Sequence, residues 1–227
     1  MHRSEAEFGR LRHYIWDFDG TLFDTYPVMI RCLRAGLSAF GRDADPVEIM
    51  ERMLNNVAYA IDSYVEEFDI PLAGVCQIYD RCRQQAEEEL ASKPMENAAE
   101  VLQMLKNAGG HHYIFTHRAQ ANTEAYLQKY GLLEFFEDVL GPDSPGFAMK
   151  PAPDAILYLM KKHQMDPEET VMIGDRFIDL ESGRRAGIRT AHLICALAPQ
   201  ELECHWRFES FDHMRKVCPC VENAPAR

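Results

Sequence analysis

His13-Tyr14-Ile15-Trp16-Asp17-Phe18-Asp19-Gly20-Thr21-Leu22-Phe23-Asp24-Thr25 reads as an apolar strand that ends in two carboxylates and then a glycine. Functional groups of open α/β sheets collect at such carboxyl ends. In an extended segment Asp17 and Asp19 point to the same side, so their like charges clash unless a divalent cation or a shared proton intervenes. The plain structural reading of Asp19-Gly20 is a polar turn.

Three later segments repeat the theme of a strand ending in a polar group. His112-Tyr113-Ile114-Phe115-Thr116-His117-Arg118 is an apolar run followed by a hydroxyl, and Thr116 can bond a phosphoryl oxygen beside backbone N–H groups of the turn. A Gly/Pro-rich loop over 141–149 leads to Lys150-Pro151-Ala152-Pro153-Asp154, a lysine just before a helix that the prolines help to start. Val171-Met172-Ile173-Gly174-Asp175-Arg176-Phe177-Ile178-Asp179 ends in one acid, with a second a helical turn further on the same face. A solvated lysine and an N-cap aspartate are the ordinary alternatives for Lys150 and Asp175. Their coincidence at four strand ends favours chemistry.

Apolar runs at 14–16, 113–115, 171–173 and 190–194 alternate with helical patterns at 96–107, 122–130 and 153–163, which predicts a parallel α/β sheet. Asp166-Pro167-Glu168-Glu169 predicts a capped helical turn before Val171. The interval from Thr25 to about Lys93 breaks this rhythm: helical periodicity over 28–40, 47–68 and 72–90, with no strand, predicts an all-α insertion acting as a lid. Gly41 is placed to close its first helix, and Asp45-Pro46-Val47-Glu48 to open its second as a capping box. Met50, Met53, Met95 and Met104 read as packing residues. Arg31, Arg34, Arg52 and Asn55 are the insertion's candidates for reaching a substrate, since anionic groups favour arginine.

The order of these motifs resembles the haloacid dehalogenase superfamily of aspartate-nucleophile phosphohydrolases. The resemblance spans residues 14–192, rests on DFDGT followed by Lys-Pro and GDxxxD, and puts the insertion where subclass I members carry an α-helical cap. The branch is that of phosphoglycolate phosphatases and β-phosphoglucomutases. It implies an α/β fold with a Rossmann-like core over 1–24 and 94–227, a cap over 25–93, Mg2+ as cofactor, and phosphoryl transfer through an aspartyl-phosphate. Carried over by position, Asp17 is the nucleophile and Asp19 the general acid and base; Gly20, Thr116, His117 and Lys150 bind phosphate. Asp17, the backbone carbonyl of Asp19, Asp175 and Asp179 surround the metal.

Departures refine the expectation. Dehalogenases of the superfamily typically lack an acid at the position of Asp19, and the phosphonate-cleaving members use a cap lysine, whereas the first lysine here is Lys93. Hexose-phosphate mutases usually show Glu-Asp where this chain has Gly174-Asp175, which leans towards a phosphatase over a mutase. His117-Arg118 stands where asparagine commonly follows the hydroxyl residue. A catalytically idle sensor of a phosphorylated metabolite is the other-class alternative, against which the pair Asp17 and Asp19 argues.

Composition narrows the partners. The 227 residues, 47% hydrophobic and 26% charged with 13 Gly and 12 Pro, describe a globular chain able to build a core and a smaller insertion. Lys and Arg number 24 against 36 Asp and Glu, a formal charge of −12, so the mean field repels nucleic acid and acidic membranes. A small phosphorylated metabolite is the expected partner. The polar start MHRSEAEFGRLRH lacks the apolar region of a secretory signal, and no apolar run is long enough to span a bilayer, so the expected location is cytoplasmic. Seven cysteines without a CxxC pair read as reduced structural thiols. Cys204, His205, His213, Cys218 and Cys220 are a weak zinc pattern, and the tail after Cys218, with Pro219, Asn223 and Pro225, carries no apolar period.

Overall fold

The computed structural model describes residues 5–144 and 146–218. Among these residues, its larger unit takes in those up to Phe23, those from Pro94 to Cys195 and those from Gln200 to Cys218; the smaller takes in Asp24–Lys93 with Ala196–Pro199. Pro219, Cys220, Asn223 and Pro225, on which the reading of the tail rests, lie outside the described residues.

The larger unit is built on a six-stranded sheet. In chain order it comprises α1 (Glu5–Phe8), β1 (His13–Trp16), α6 (Ala98–Asn107), β4 (His111–Phe115), α7 (Gln120–Lys129), β5 (Phe136–Leu140), α8 (Asp154–His163), β6 (Thr170–Gly174), α9 (Phe177–Arg185), β7 (Arg189–Leu193), β8 (Trp206–Phe208) and α10 (Phe211–Val217). The strands are parallel and lie in the order β5-β4-β1-β6-β7-β8. The chain therefore winds outward from β1 first to one side and then to the other, and the switch between the two directions leaves a crevice beyond the carboxyl end of β1. Two short strands, β2 (Phe23–Asp24) and β3 (Lys93–Pro94), pair where the chain leaves for the insertion and returns.

Side-chain alternation explains why β1 reads as apolar throughout: both its faces are covered. Ile15 joins Tyr113, Phe115 and Met172 in a core that Ala155, Ile156 and Leu159 of α8 cover. Tyr14 and Trp16 face the other way, where Tyr14 meets Phe8 edge-on at 5.5 Å and Trp16 stacks on Phe211 at 5.8 Å. On that face His112 is buried and accepts from the Trp16 indole N–H at 3.1 Å through Nδ1, while Nε2 lies 3.0 Å from the Leu102 carbonyl. A carbonyl can only accept, so the proton sits on Nε2 and the ring is neutral.

That arrangement predicts acid sensitivity. Burial lowers His112 from 6.5 to about 4, so between those values the unfolded chain binds a proton that the folded one refuses. Stability is then lost as pH falls through this window, by about 1.4 kcal/mol per pH unit for this residue. Denaturant titrations from pH 7 to pH 4 should show a shallower decline in His112→Gln than in the parent chain; parallel declines would refute the assignment.

The two edge strands, β5 and β8, show less of the apolar run that marks the inner four. Edge strands are covered less completely, so Glu137 and Asp138 interrupt β5, and the sequence pattern misses it. Residues 206–208 form the last strand of the sheet, in register with β7 from Ala191 opposite Trp206. The capped turn before β6 is a 3-10 helix, Pro167–Glu169, with Asp166 accepting from the Glu168 N–H at 2.8 Å.

The smaller unit is helical: α2 (Tyr26–Ser38), α3 (Pro46–Met53), α4 (Val57–Phe68) and α5 (Leu72–Glu88). Periodicity over 47–68 implies one helix, but the chain makes two. Asn56 takes an extended conformation and accepts the Tyr59 N–H at 2.7 Å, an N-cap that starts α4 afresh. Asp45 caps α3 as expected, accepting from Val47 at 2.8 Å. Gly36 lets α2 approach α5, since a Cβ there would stand 3.1 Å from Val75 Cγ1. The expectation of reduced thiols is corrected here: Cys32 and Cys82 form a disulfide between these two helices, with Cα atoms 5.4 Å apart. Their 50-residue separation is invisible to a search for closely spaced pairs. Cys76, Cys195, Cys204 and Cys218 take no part in a disulfide.

Candidate active site

Three strand ends and one loop converge at the crevice. Asp17 directly follows β1 and its N–H donates to the Ile173 carbonyl of β6 at 2.8 Å, so the sheet ladder itself fixes the backbone of this residue. Thr116 follows β4 and is anchored in the same way to Leu140 at 2.9 Å. Asp175 follows β6, and Lys150 comes from the loop between β5 and α8. Asp17, Thr116, Lys150, Asp175 and Asp179 are all buried.

Lys150 Nζ lies 2.5 Å from Asp17 Oδ1 and 2.6 Å from Asp179 Oδ1. Burial pushes Asp17 up to about 6, although Lys150 pulls the other way. Burial would raise Asp179 too, but Lys150 and Arg176 overcome it and hold that carboxyl below its ordinary range. Burial alone would lower Lys150; the two acids raise it, so its charge is retained. Asp175 accepts from the Thr21 hydroxyl at 3.2 Å, and its carbonyl lies 3.2 Å from His192 Nε2. Asp179 reaches back to take the Arg176 N–H at 3.0 Å, which orients it at the start of α9. Gly174 makes room for it: a Cβ at that position would fall 2.3 Å from Asp179 Cβ. A larger residue there, as in the mutase pattern, requires Asp179 to move.

Asp17, Asp175 and Asp179 each offer a carboxylate oxygen within 4.8 Å of the other two, and they are the one such group of metal-competent side chains among the described residues. Cys204, His205, His213 and Cys218 do not form one, and Cys220 lies outside the described residues. Asp17 Oδ2 is buried and accepts no hydrogen bond. An oxygen-only set of three acids with one such open lone-pair site fits a hard divalent cation such as Mg2+.

Gly20 takes a positive φ of 75° in the turn after β1, and its N–H donates to the Phe23 carbonyl at 2.9 Å, so this N–H closes the turn. The His117 side chain is exposed. Asp19 is partly buried and paired with Arg118, whose Nη2 lies 2.5 Å from its Oδ1. In the helical unit, Arg34 is engaged by Asp43 at 2.6 Å, and Arg52 lies over the Tyr64 ring at 3.8 Å while pairing with Glu48 and Glu67.

Residues 14–193 match the family model of the haloacid dehalogenase-like hydrolases. The chain belongs to that family. Among curated family relatives, an N-acetylmuramic acid 6-phosphate phosphatase of Pseudomonas aeruginosa is 28% identical, covering 95% of this chain and 96% of the relative. Phosphoglycolate phosphatase 1 of the same organism is 24% identical over 94% of this chain and 80% of its own length. A haloacid dehalogenase family hydrolase of Deinococcus radiodurans, solved with bound phosphate and sodium, superposes with a TM-score of 0.79 at 20% identity, covering 92% and 95% of the two chains. At that identity the likeness establishes the fold.

Sequence reasoning passes over four residues that build the site. Thr21 ends the DFDGT motif and holds Asp175, a signal present in the quoted stretch. Gly174 is legible only once Asp179 is seen to pack across it. His192 sits inside β7 and carries no sequence signal. Arg118 stands out in the sequence only as a departure from the usual residue after the hydroxyl, without a task.

Proposed function

We propose that this hydrolase is a Mg2+-dependent phosphomonoesterase that acts on a small phosphorylated metabolite through a phosphoryl group carried on Asp17. The observation that carries the reading is the buried set Asp17, Asp175 and Asp179, with Lys150 bridging Asp17 and Asp179, at the switch point of the sheet. Asp17, Asp175 and the backbone carbonyl of Asp19 would hold Mg2+, with Asp179 orienting its surroundings. When bound, the ion supplies positive charge that lets a phosphate dianion approach three carboxylates.

The remaining work falls to the chain's own groups. An Asp17 carboxylate oxygen attacks phosphorus and the bond from phosphorus to the leaving oxygen breaks, giving an acyl-phosphate. Asp19 gives its proton to the departing alkoxide, then takes one from water as that water attacks phosphorus and releases Asp17 and inorganic phosphate. Thr116 donates its hydroxyl to a phosphoryl oxygen, and Lys150 offsets the charge that develops there. A small metabolite is favoured because the relatives' names specify phosphoglycolate and N-acetylmuramic acid 6-phosphate, and because the net charge of −12 opposes nucleic acid.

Hydrolysis of p-nitrophenyl phosphate should stop in excess EDTA and return with Mg2+. Asp175→Ala should raise the Mg2+ concentration for half-activity by about tenfold or more. Undiminished turnover in EDTA would sink the metal assignment. A panel of phosphorylated metabolites identifies the substrate, and faster dephosphorylation of a folded phosphoprotein than of every small ester would sink the substrate class.

A further inference from the structure

Arg118 is a strongly held cation of this crevice to which the reaction just described gives no task. Its side chain is 4% exposed. The guanidinium carbon stands 5.3 Å from the ring centre of Phe18 and 5.3 Å from that of Tyr126. Nη2 lies 2.5 Å from Asp19 Oδ1, and the Arg118 N–H donates to Thr116 Oγ1 at 3.1 Å. The residue thus ties the loop after β1 to the loop after β4. A planar guanidinium suits this place because it meets aromatic rings and still presents fixed N–H vectors, where an ammonium on a flexible stem would not.

We propose that Arg118 is a positioning residue for Asp19, clamped by Phe18 and Tyr126 so that its guanidinium fixes the carboxylate against the leaving-group side of the crevice. The inference rests on the reading of Asp19 as the general acid and base. Asp19 stands on a turn, beyond the ladder that holds Asp17, and its side chain is 14% exposed. A carboxylate so placed has rotamer freedom that a clamped partner removes before substrate arrives, and proton transfer depends on that geometry. Arg118 does not itself meet the phosphorus in this scheme; its effect passes through Asp19.

The test compares leaving groups in the full chain with Mg2+. A poor leaving group needs the acid, whereas p-nitrophenolate departs with little help. Arg118→Ala should slow the transfer of phosphoryl to Asp17, followed in single turnovers, by about 30-fold or more for an alkyl phosphate and by no more than about threefold for p-nitrophenyl phosphate, with KM little changed; the later hydrolysis step, which uses Asp19 for every substrate, should slow alike for both. Adding Arg118→Ala to Asp19→Asn should change neither substrate by more than about twofold, because the acid that Arg118 positions is already gone. Arg118→Lys should restore part of the alkyl phosphate rate. Equal losses on both substrates in the phosphoryl-transfer step, or losses there that multiply in the double variant, would overturn the inference. So would a raised KM with unchanged kcat, the mark of an arginine that binds substrate directly. If Asp19→Asn alone shows no leaving-group preference, the acid role in the proposed function fails and the inference falls with it. If it shows one and Arg118→Ala does not, only the inference falls.

Discussion

Asp17→Asn should lose about 10^4-fold or more in turnover of any phosphomonoester and yield no acid-stable or rapidly quenched phosphoenzyme, while binding Mg2+ less tightly. An amide is too weak a nucleophile to open the acyl-phosphate route, and no neighbouring carboxylate replaces it: Asp179 is committed to Lys150 and the Arg176 N–H, and Asp175 to Thr21. The same substitution should stabilise the metal-free protein. Three buried acids cluster here and Lys150 pairs with two of them, Asp17 and Asp179, and burial pushes Asp17 up to about 6 from 3.8. For a raised acid the sign runs towards low pH: the folded state holds a proton between 3.8 and 6 that the unfolded state releases, so at pH 7 the ionised Asp17 is a burden of about 1–3 kcal/mol. Thermal unfolding in EDTA at pH 7 should therefore give a midpoint a few degrees higher for Asp17→Asn, with the gap closing as pH falls from about 6 towards 3.8. A phosphoenzyme trapped from Asp17→Asn, or a lower metal-free midpoint, would count against the nucleophile and the charge argument respectively.

Such opposition between stability and activity explains which parts of the molecule the sequence makes legible. The inner strands are apolar on both faces, so β1, β4, β6 and β7 stand out as runs, and the acids that end two of them break the local pattern conspicuously. Asp17 and Asp175 are visible for that reason. The edge strand β5 has Glu137 and Asp138 in its middle and merges with the loop around it. Asn56 shows how a cap can hide: Met53 and Leu54 continue the apolar period up to it, so the break between α3 and α4 emerges only from the backbone. Groups that act through long-range contact leave the least trace. His192 and Asp175 are 17 residues apart, Thr21 and Asp175 154 apart, and Arg118 and Asp19 99 apart. The Cys32–Cys82 bridge belongs with these, because packing of α2 on α5 makes the pair and spacing does not.

Lys150→Met should combine a large loss of rate with a large loss of metal-free stability. The lysine is fully enclosed and bridges Asp17 at 2.5 Å and Asp179 at 2.6 Å, so methionine fills similar space while leaving both carboxylates buried without their cation. Removing one partner from a buried ionic group costs about 3–5 kcal/mol, far more than the pair contributes over a hydrophobic replacement, because the orphaned charge stays behind. The unfolding midpoint in EDTA should drop accordingly. Mg2+ restores much of it in this scheme, since a ligand that binds only the folded state stabilises by mass action, and the acids freed from Lys150 are those expected to face the ion. Rate follows a different course. Charge that builds on the phosphoryl oxygens loses its fixed ammonium, and turnover at saturating Mg2+ should fall by about 10^2–10^3-fold even where the fold is recovered. Lys150→Arg should not rescue the rate, because a guanidinium needs more room and a different geometry than a point charge held between two carboxylates. Melting with and without Mg2+, paired with single-turnover hydrolysis, separates the two effects. A variant that Mg2+ returns to full stability and to within tenfold of parental turnover would show that Lys150 is a structural counter-ion and not part of the phosphate-binding machinery.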